Sequence, residues 1–226
     1  MIRQLPVWVL AGSVMLALNA GFINSVALLS FANNAVSHVT GTATIAADAL
    51  VSGRSEVLFH TASILLSFVI GAIISGIIVG NEALQLGRRY GLALTIEAFL
   101  LFFAWYAFRT DHMSAEWLAS AACGLQNAMV ATYSGSVIRT THLTGIVSDI
   151  GSALGNFFAG RGLLRQQLLL QLSIFLAFIL GAAAGTLGFQ QLGYDAVLIN
   201  GIWVALVSVG YAIVLLRSAR GQRRNQ

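Results

Sequence analysis

The chain has 226 residues, of which 58% are hydrophobic and only 9% are charged, and its formal net charge is +4. Charged residues make up roughly 25% of an ordinary soluble domain. The composition therefore excludes a soluble globular fold and predicts an all-α, polytopic membrane protein whose partner is the lipid bilayer. The small positive charge does not indicate nucleic-acid binding, because the predicted basic tail at 217–226 suits an anionic membrane surface.

Six apolar stretches are long enough to cross a hydrocarbon core, which needs about 20 residues per helix. The first stretch also has the charge and the apolar run of a signal peptide, but the run continues to Phe31, which favours a retained helix. We therefore expect one membrane domain over 1–226. The predicted spans, in chain order, are 7–31, 57–80, 91–109, 115–135, 166–188 and 195–216.

Several patterns in the chain occur twice. The motif His-x-Thr-Gly is found at 38–41 and again at 142–145, and each copy follows a Gly-x-x-Asn pattern, at 21–24 and at 124–127. The second and fifth predicted spans also align with each other without a gap. These matches predict two repeats of three spans each.

The two repeats are predicted to be inverted. Three is an odd number of spans, so the second repeat (111–216) crosses the membrane in the opposite sense to the first (1–110). If the N-terminus is inside, ten arginines fall in inside segments, and two, Arg54 and Arg109, fall outside. This bias predicts that both termini are cytoplasmic.

A short helix is predicted after each motif, at 42–51 and 146–159. Exposed N–H groups at the start of such helices favour an anion, and broken or re-entrant helices recur in the inverted repeats of secondary transporters. Amphipathic helices that lie along the membrane surface have the same pattern, so both arrangements stay open. The residues expected to cap or turn these helices are Thr40, Thr42, Gly41, Thr144 and Gly145.

The two motif histidines, His38 and His142, are candidate proton carriers, one near each side of the membrane. The alternative is that both are solvated loop residues. Asp48 and Asp149 lie downstream of the motifs on similar helical faces, and they are candidates for a cation or proton site or for wet interfacial carboxylates. No second ligand lies at helical spacing from either histidine, so no metal site is predicted.

Glu97 lies inside the third predicted span, about 10 Å from its start. A charge near the bilayer centre costs roughly 2.5–3.5 kcal/mol, so such a residue is expected to face protein or water. Its role is either functional or limited to interhelical packing in the protonated form. Asn200 occupies nearly the corresponding place in the sixth span. Asn24 and Asn127 are expected either to join helices through hydrogen bonds or to line a site.

At these motifs the chain resembles the YoaK-type family of bacterial integral membrane proteins of unknown function. The resemblance covers most of the chain and rests on the segments 37–42, 124–127 and 139–145 and on Asp149. It implies a multi-pass protein of the bacterial inner membrane and supplies no activity. The family pattern often has tyrosine at the place of His142, which argues against a mechanism that needs two histidines.

The sequence predicts a secondary transporter or permease with a site for a small solute or ion at the interface of the repeats. The alternative is a non-transporting membrane protein that acts in interactions or stress. Neither an enzyme nor a cofactor is expected, because the chain has no paired metal motif and no supported Ser/His arrangement; assembly as a homo-oligomer stays open. The residues predicted to bind the solute or ion are Asn24, His38, Thr40, Gly41, Glu97, Asn127, His142, Thr144, Gly145 and Asp149.

Overall fold

The computed structural model describes residues 7–30, 35–80, 88–134 and 139–224, and within them every regular element is an α-helix. The all-α prediction is therefore confirmed for these residues. The eight helices are, in chain order, α1 (Val7–Leu28), α2 (Val39–Val51), α3 (Ser55–Val79), α4 (Arg88–Arg109), α5 (Ser114–Tyr133), α6 (Leu143–Phe158), α7 (Arg165–Leu192) and α8 (Asp195–Arg224).

Five of the described helices, α1, α3, α4, α7 and α8, are long and apolar enough to cross a membrane. They carry large exposed apolar side chains, among them Ile77, Phe99 and Leu206. Such a surface is expected of helices that contact lipid, where every backbone polar group is already satisfied within the helix. The structure thus describes a multi-pass helical membrane protein, with a long apolar helix at five of the six predicted spans.

The helix at the remaining predicted span, α5, is 20 residues long but contains no stretch as apolar as those found in the other five. It packs against α1, α3 and α4, and its polar side chains Glu116, Ser120 and Gln126 are buried. Because these side chains meet protein rather than lipid, α5 can carry polar groups that a lipid-facing helix cannot.

Glycines bring α1 and α7 into backbone contact. A Cβ atom at Gly21 would collide with the carbonyl oxygen of Phe178, and a Cβ at Gly181 would collide with that of Leu18. The contact continues one turn later, where Gly185 lies against the backbone of Phe22. The contacts advance together along both helices, so α1 and α7 run in the same direction. Small residues permit this close approach of helices.

The crossing of α3 and α5 is built in the same way. Gly71 lies against the carbonyl group of Ala121, and Gly124 lies against that of Phe68. The ring of Phe59, near the start of α3, packs edge-on against that of Trp117, near the start of α5, so these two helices also run in the same direction. The aligned glycines of the two repeated patterns therefore occupy matching places in the two crossings.

Contacts between helix ends define two faces of the bundle. Ser30, just after α1, donates a hydrogen bond to Glu116 in the first turn of α5. Trp105, near the end of α4, donates to Asp195 at the start of α8 over 2.9 Å. Phe108, near the end of α4, stacks on Tyr194, which follows α7. Helices α1, α4 and α7 therefore run one way and α3, α5 and α8 the other. We call the face at which α1 begins the amino-terminal face, and the other the opposite face.

The short helices α2 and α6 each pack mainly on the helix that follows, α3 and α7 respectively. Both begin directly after the motif histidine, so His38 and His142 are the N-cap residues, and neither makes a side-chain capping bond. The predicted capping role of Thr40, Thr42 and Thr144 is therefore wrong, because a capping residue must precede the first turn and these threonines lie within it.

Candidate functional site

Four buried polar side chains meet in the middle of the bundle. Asn19 of α1 donates through Nδ2 to Glu97 Oε1 of α4 over 3.1 Å and to Gln126 Oε1 of α5 over 2.9 Å. Asn200 of α8 donates through Nδ2 to the backbone carbonyl of Asn19 over 3.2 Å. We call these four residues the central cluster. Each is at most 3% exposed, so the cluster joins four helices away from both lipid and bulk water.

Gln126 extends the central cluster to the loop that precedes α6. Its Nε2 donates to the backbone carbonyl of Leu16 over 2.9 Å and to Thr140 Oγ1 over 3.1 Å. Gln126 lies seven residues before the end of α5, or about 10 Å along the helix, and Thr140 is fully buried. The segment two residues before His142 therefore reaches well into the bundle.

Some oxygens of the central cluster lack a hydrogen-bond donor. Glu97 Oε2, Asn19 Oδ1 and Asn200 Oδ1 are buried oxygens that have no hydrogen-bond partner. No cationic side chain in the described part of the chain forms an ion pair with Glu97. Buried polar atoms are nearly always hydrogen-bonded in native proteins, and a buried charge is costly unless it is paired. The cluster therefore suits a positively charged or proton-donating ligand.

A half-open apolar cavity of about 140 Å³ lies between the cluster and the amino-terminal face. Its lining includes Leu16 and Leu94, each one helical turn from Asn19 or Glu97, and the rings of Tyr90 and Tyr211 near that face. One turn of helix thus separates the cavity from the cluster.

Toward the opposite face, the same helices pack tightly. Ile23 of α1 and Leu101 and Phe108 of α4 are fully buried apolar side chains, and the Phe108 ring stacks on that of Tyr194 with centroids 5.4 Å apart. The helices are therefore packed more loosely on the amino-terminal side of the central cluster than on the opposite side.

A second buried polar group lies near the opposite face. Glu116 of α5 is fully buried; its Oε1 accepts a hydrogen bond from Ser30 Oγ over 3.1 Å, and its Oε2 lies 2.9 Å from Nε2 of His60 on α3. The His60 side chain is 14% exposed. The pair joins the end of α1 to the starts of α3 and α5.

The motif histidines have a local structural role. The imidazole ring of His38 lies over Gly41, and that of His142 lies over Gly145, so closely that a Cβ atom on either glycine would collide with the ring. This packing explains the His-x-x-Gly spacing, because only glycine leaves room for the ring on the first turn of the helix. Both rings are exposed, and their described contacts do not join them to the central cluster.

The other predicted residues lie in separate places. Asn24 Oδ1 accepts hydrogen bonds from the backbone N–H and hydroxyl of Ser37, over 3.0 and 2.7 Å, which fixes the loop before α2. Asn127 is partly buried, and its Oδ1 has no hydrogen-bond partner. Thr40 and Thr144 are exposed. Their side chains therefore do not form part of a buried site.

Asp149 lies on α6 and accepts a hydrogen bond from Gln171 Nε2 of α7 over 2.9 Å. It lines an open cleft of about 610 Å³ near the amino-terminal face, together with Asn156, Arg161 and Gln167. Asp48 of α2 instead forms an exposed ion pair with Arg54. Of the ten predicted site residues, Glu97 alone belongs to the central cluster.

Sequence reasoning missed Asn19, Gln126, His60 and Glu116, and noted Asn200 only as the counterpart of Glu97. The available signal was an amide in the middle of apolar helix α1 at Asn19, five residues before Asn24, and a polar residue at almost every turn of α5. Neither signal stands out as a repeated motif does.

The five apolar helices, the exposed apolar surface and the buried polar centre define a multi-pass helical membrane protein. The chain belongs to DUF1275, a family of proteins of unknown function, whose sequence pattern matches residues 12–210. The resemblance to an uncharacterised YoaK-type family is thereby confirmed. No curated protein and no solved structure matches the chain.

Proposed function

We propose that this protein is a secondary transporter or permease of the bacterial inner membrane, built from two inverted halves, with its solute or ion site at the central cluster. The observation that carries the proposal is the cluster itself. Asn19 and Glu97 come from one proposed half, Gln126 and Asn200 from the other, and three buried oxygens among them have no partner. Sites at the interface of two repeats, near the bilayer midplane, are common in secondary transporters.

The helix crossings support the inverted arrangement. The α1–α7 crossing and the α3–α5 crossing use glycines that are aligned in the sequence repeats, Gly21 with Gly124 and Gly71 with Gly181. The two crossings run in opposite directions through the bundle. A two-fold axis in the membrane plane relates halves in this way.

The burial of α5 supports its assignment as the fourth of the six predicted spans. Twenty residues correspond to about 30 Å of helix, which is the thickness of a hydrocarbon core. The ends of the described helices also support the proposed orientation. Arg165 begins α7 and Arg217 lies near the end of α8, both toward the amino-terminal face, whereas Arg54 and Arg109 lie toward the opposite face. Arginines are enriched on the cytoplasmic side.

The loops before α2 and α6 support re-entry of both short helices. Ser120 of α5 donates to the backbone carbonyl of buried Val36 over 3.1 Å, and Gln126 of the same helix donates to Thr140. One loop contacts α5 from the opposite face and the other from the amino-terminal face. Each short helix would then follow a loop that enters the bundle and would run back toward its own face.

Reconstituted protein tests the proposed function. Proteoliposomes on a supported membrane are exposed to gradients of inorganic cations, amino acids, sugars and weak acids, and transport currents or solute uptake are measured. We expect the native protein to carry at least one of these solutes, and Glu97→Gln to abolish that flux. Glu56→Gln is the matched control, because Glu56 is exposed in the first turn of α3. Flux no greater than that of empty liposomes across the whole panel would count against a permease.

A further inference from the structure

We infer that the cleft between α6 and the start of α7 binds the zwitterionic headgroup of phosphatidylethanolamine. This site is separate from the central cluster, so the inference goes beyond the proposed function and does not depend on it. The cleft has a volume of about 610 Å³, and sites for small molecules have volumes of roughly 300–1,000 Å³. Asp149 is the one acidic residue of its lining, and Arg161 is the one basic residue.

The two charged side chains share the cleft without neutralising each other. The Arg161 guanidinium donates to Asn156 Oδ1 over 3.2 Å, and the Asp149 carboxylate accepts from Gln171 Nε2 over 2.9 Å. No ion pair joins Arg161 to Asp149 in the described part of the chain. Because both partners are neutral amides, both charges stay available to a ligand. A zwitterion satisfies both, whereas a simple anion or cation meets one charge of its own sign.

The end of α6 fixes the position of Arg161. Its backbone N–H donates to the carbonyl of Asn156 over 2.9 Å, directly after Gly160, whose φ is 73°. This is the Schellman ending of a helix, in which a glycine takes the left-handed conformation. Helix α2 ends in the same way at the opposite face, but there Arg54 forms an ion pair with Asp48. The matching arginine is therefore already neutralised, and it supplies a control.

The chemistry of the lining favours phosphate with a primary ammonium group. A guanidinium group matches two phosphate oxygens at once, and the Asp149 carboxylate accepts from the ammonium group. Gln171 supplies a further acceptor beside Asp149, because its Oε1 is buried and has no hydrogen-bond partner. The quaternary ammonium of choline donates no hydrogen bond and is typically held by aromatic rings. No aromatic residue lines the cleft, which therefore suits ethanolamine rather than choline.

Apolar side chains beside the cleft favour a lipid over a soluble zwitterion. Leu163 and Leu164 line it, and Leu164 is 69% exposed. Phe157 and Phe158, at the end of α6, are also exposed. Exposed apolar patches with a polar rim mark surfaces that contact a membrane or another partner. The headgroup would thus lie in the cleft, and the acyl chains would lie along these apolar side chains.

Lipid binding to the full chain tests the inference. The delipidated protein in a mild detergent is titrated with phosphatidylethanolamine, phosphatidylcholine and phosphatidylglycerol of identical acyl chains, and native mass spectrometry measures the bound fraction. We expect phosphatidylethanolamine to bind about tenfold more tightly than the other two, the effect of one charge-assisted contact. Asp149→Asn should remove its advantage over phosphatidylcholine, and Arg161→Gln should weaken the binding of all three lipids. Arg54→Gln is the matched control and should leave the preference unchanged.

Thermal unfolding of the same variants separates loss of the site from loss of the fold. Phosphatidylethanolamine should raise the melting temperature of the native protein and of Arg54→Gln more than that of folded Asp149→Asn or Arg161→Gln. Equal binding of the three lipids by the native protein overturns the inference, as does a preference that survives both cleft substitutions. Glycerophosphoethanolamine, which has the headgroup without acyl chains, should compete only at far higher concentration. Competition at the same concentration as the lipid would identify a soluble zwitterion as the ligand and overturn the lipid assignment.

Discussion

Asn19 donates a hydrogen bond to Gln126 over 2.9 Å in the middle of the bundle, and this bond joins α1 to α5. These are the two helices that carry the matching Gly-x-x-Asn patterns, and they run in opposite directions. Asn19 lies outside the repeated pattern, and Gln126 occupies one of its two variable positions. The contact between the repeated helices is therefore made by side chains that differ between them.

We predict that Asn19 and Gln126 are energetically coupled. Asn19→Leu removes the donor to Gln126 and Glu97, and should lower the free energy of unfolding by about 1–3 kcal/mol for each buried acceptor left unpaired. Gln126→Leu should also lower the free energy of unfolding. The double substitution should cost less than the sum of the two, because their shared bond is lost only once. Unfolding of purified protein in mixed micelles measures all three values.

Asn156→Leu supplies the control for this cycle. Asn156 lines the exposed cleft and bonds to Arg161, so its combination with Gln126→Leu should be additive within about 0.5 kcal/mol. Additive costs for Asn19→Leu and Gln126→Leu would show that the bond does not contribute to stability.

We predict opposite effects for two glycine substitutions in α3. Gly71→Ala drives a Cβ into the carbonyl of Ala121, and the crowded backbone should lower stability by about 1–3 kcal/mol. Gly76→Ala meets nothing within 4 Å and should raise stability by up to about 1 kcal/mol, because alanine favours the helix interior. The melting temperatures of the two variants, measured in the same detergent, test this prediction. Equal melting temperatures would argue against a close α3–α5 crossing.

The sequence predicted the helices well because hydropathy is a local property. A stretch that must meet lipid has to be apolar along its whole length, so α3, α7 and α8 are evident without any tertiary information. Even α5 was predicted, although it is less apolar, because its length and its many small apolar residues are sufficient. The predicted helix at 42–51 begins three residues later than α2 itself. The N-cap of α2 is a histidine whose side chain makes no capping hydrogen bond, so the sequence carries no capping signal there.

The central cluster was harder to predict, because membership depends on which way a side chain faces. Gln126 and Asn127 are neighbours about 100° apart on one helix; the aligned pattern drew attention to Asn127, while Gln126 reaches the cluster. The motif histidines were prominent because they are repeated, but their repetition reflects packing on Gly41 and Gly145. Glu97 was found because a carboxyl in a membrane span is costly wherever it faces.

We predict that His60 stabilises the opposite face. His60→Ala removes the imidazole nitrogen that lies 2.9 Å from the buried Glu116 carboxyl, and leaving a buried polar group without its neighbour costs about 1–3 kcal/mol of unfolding free energy. Replacing Glu116 with glutamine in the same variant should recover part of the loss, because a neutral amide is less costly to bury without a partner than a carboxyl group that can ionise. Chemical unfolding of the single and double variants provides the comparison.

His112→Ala is the matched control for His60→Ala. His112 is exposed, and its ring contacts Ser114 two residues away, so its loss should change stability by less than about 0.5 kcal/mol. Similar values for the two histidine variants would mean that the His60–Glu116 contact is not a stabilising pair.

We predict that water-soluble reagents reach the apolar cavity from the cytoplasm and do not reach the packed core beyond the cluster. In a Cys123→Ser background, Val214→Cys places a thiol at the cavity lining near the amino-terminal face, and Phe108→Cys places one in the fully buried core near the opposite face. A charged maleimide should label Val214→Cys in inside-out vesicles and not in right-side-out vesicles. Phe108→Cys should stay unlabelled in both, because its surroundings exclude water. Labelling of Val214→Cys from the periplasmic side alone would reverse the proposed orientation, since the arginine-rich amino-terminal face would then be periplasmic, against the positive-inside rule.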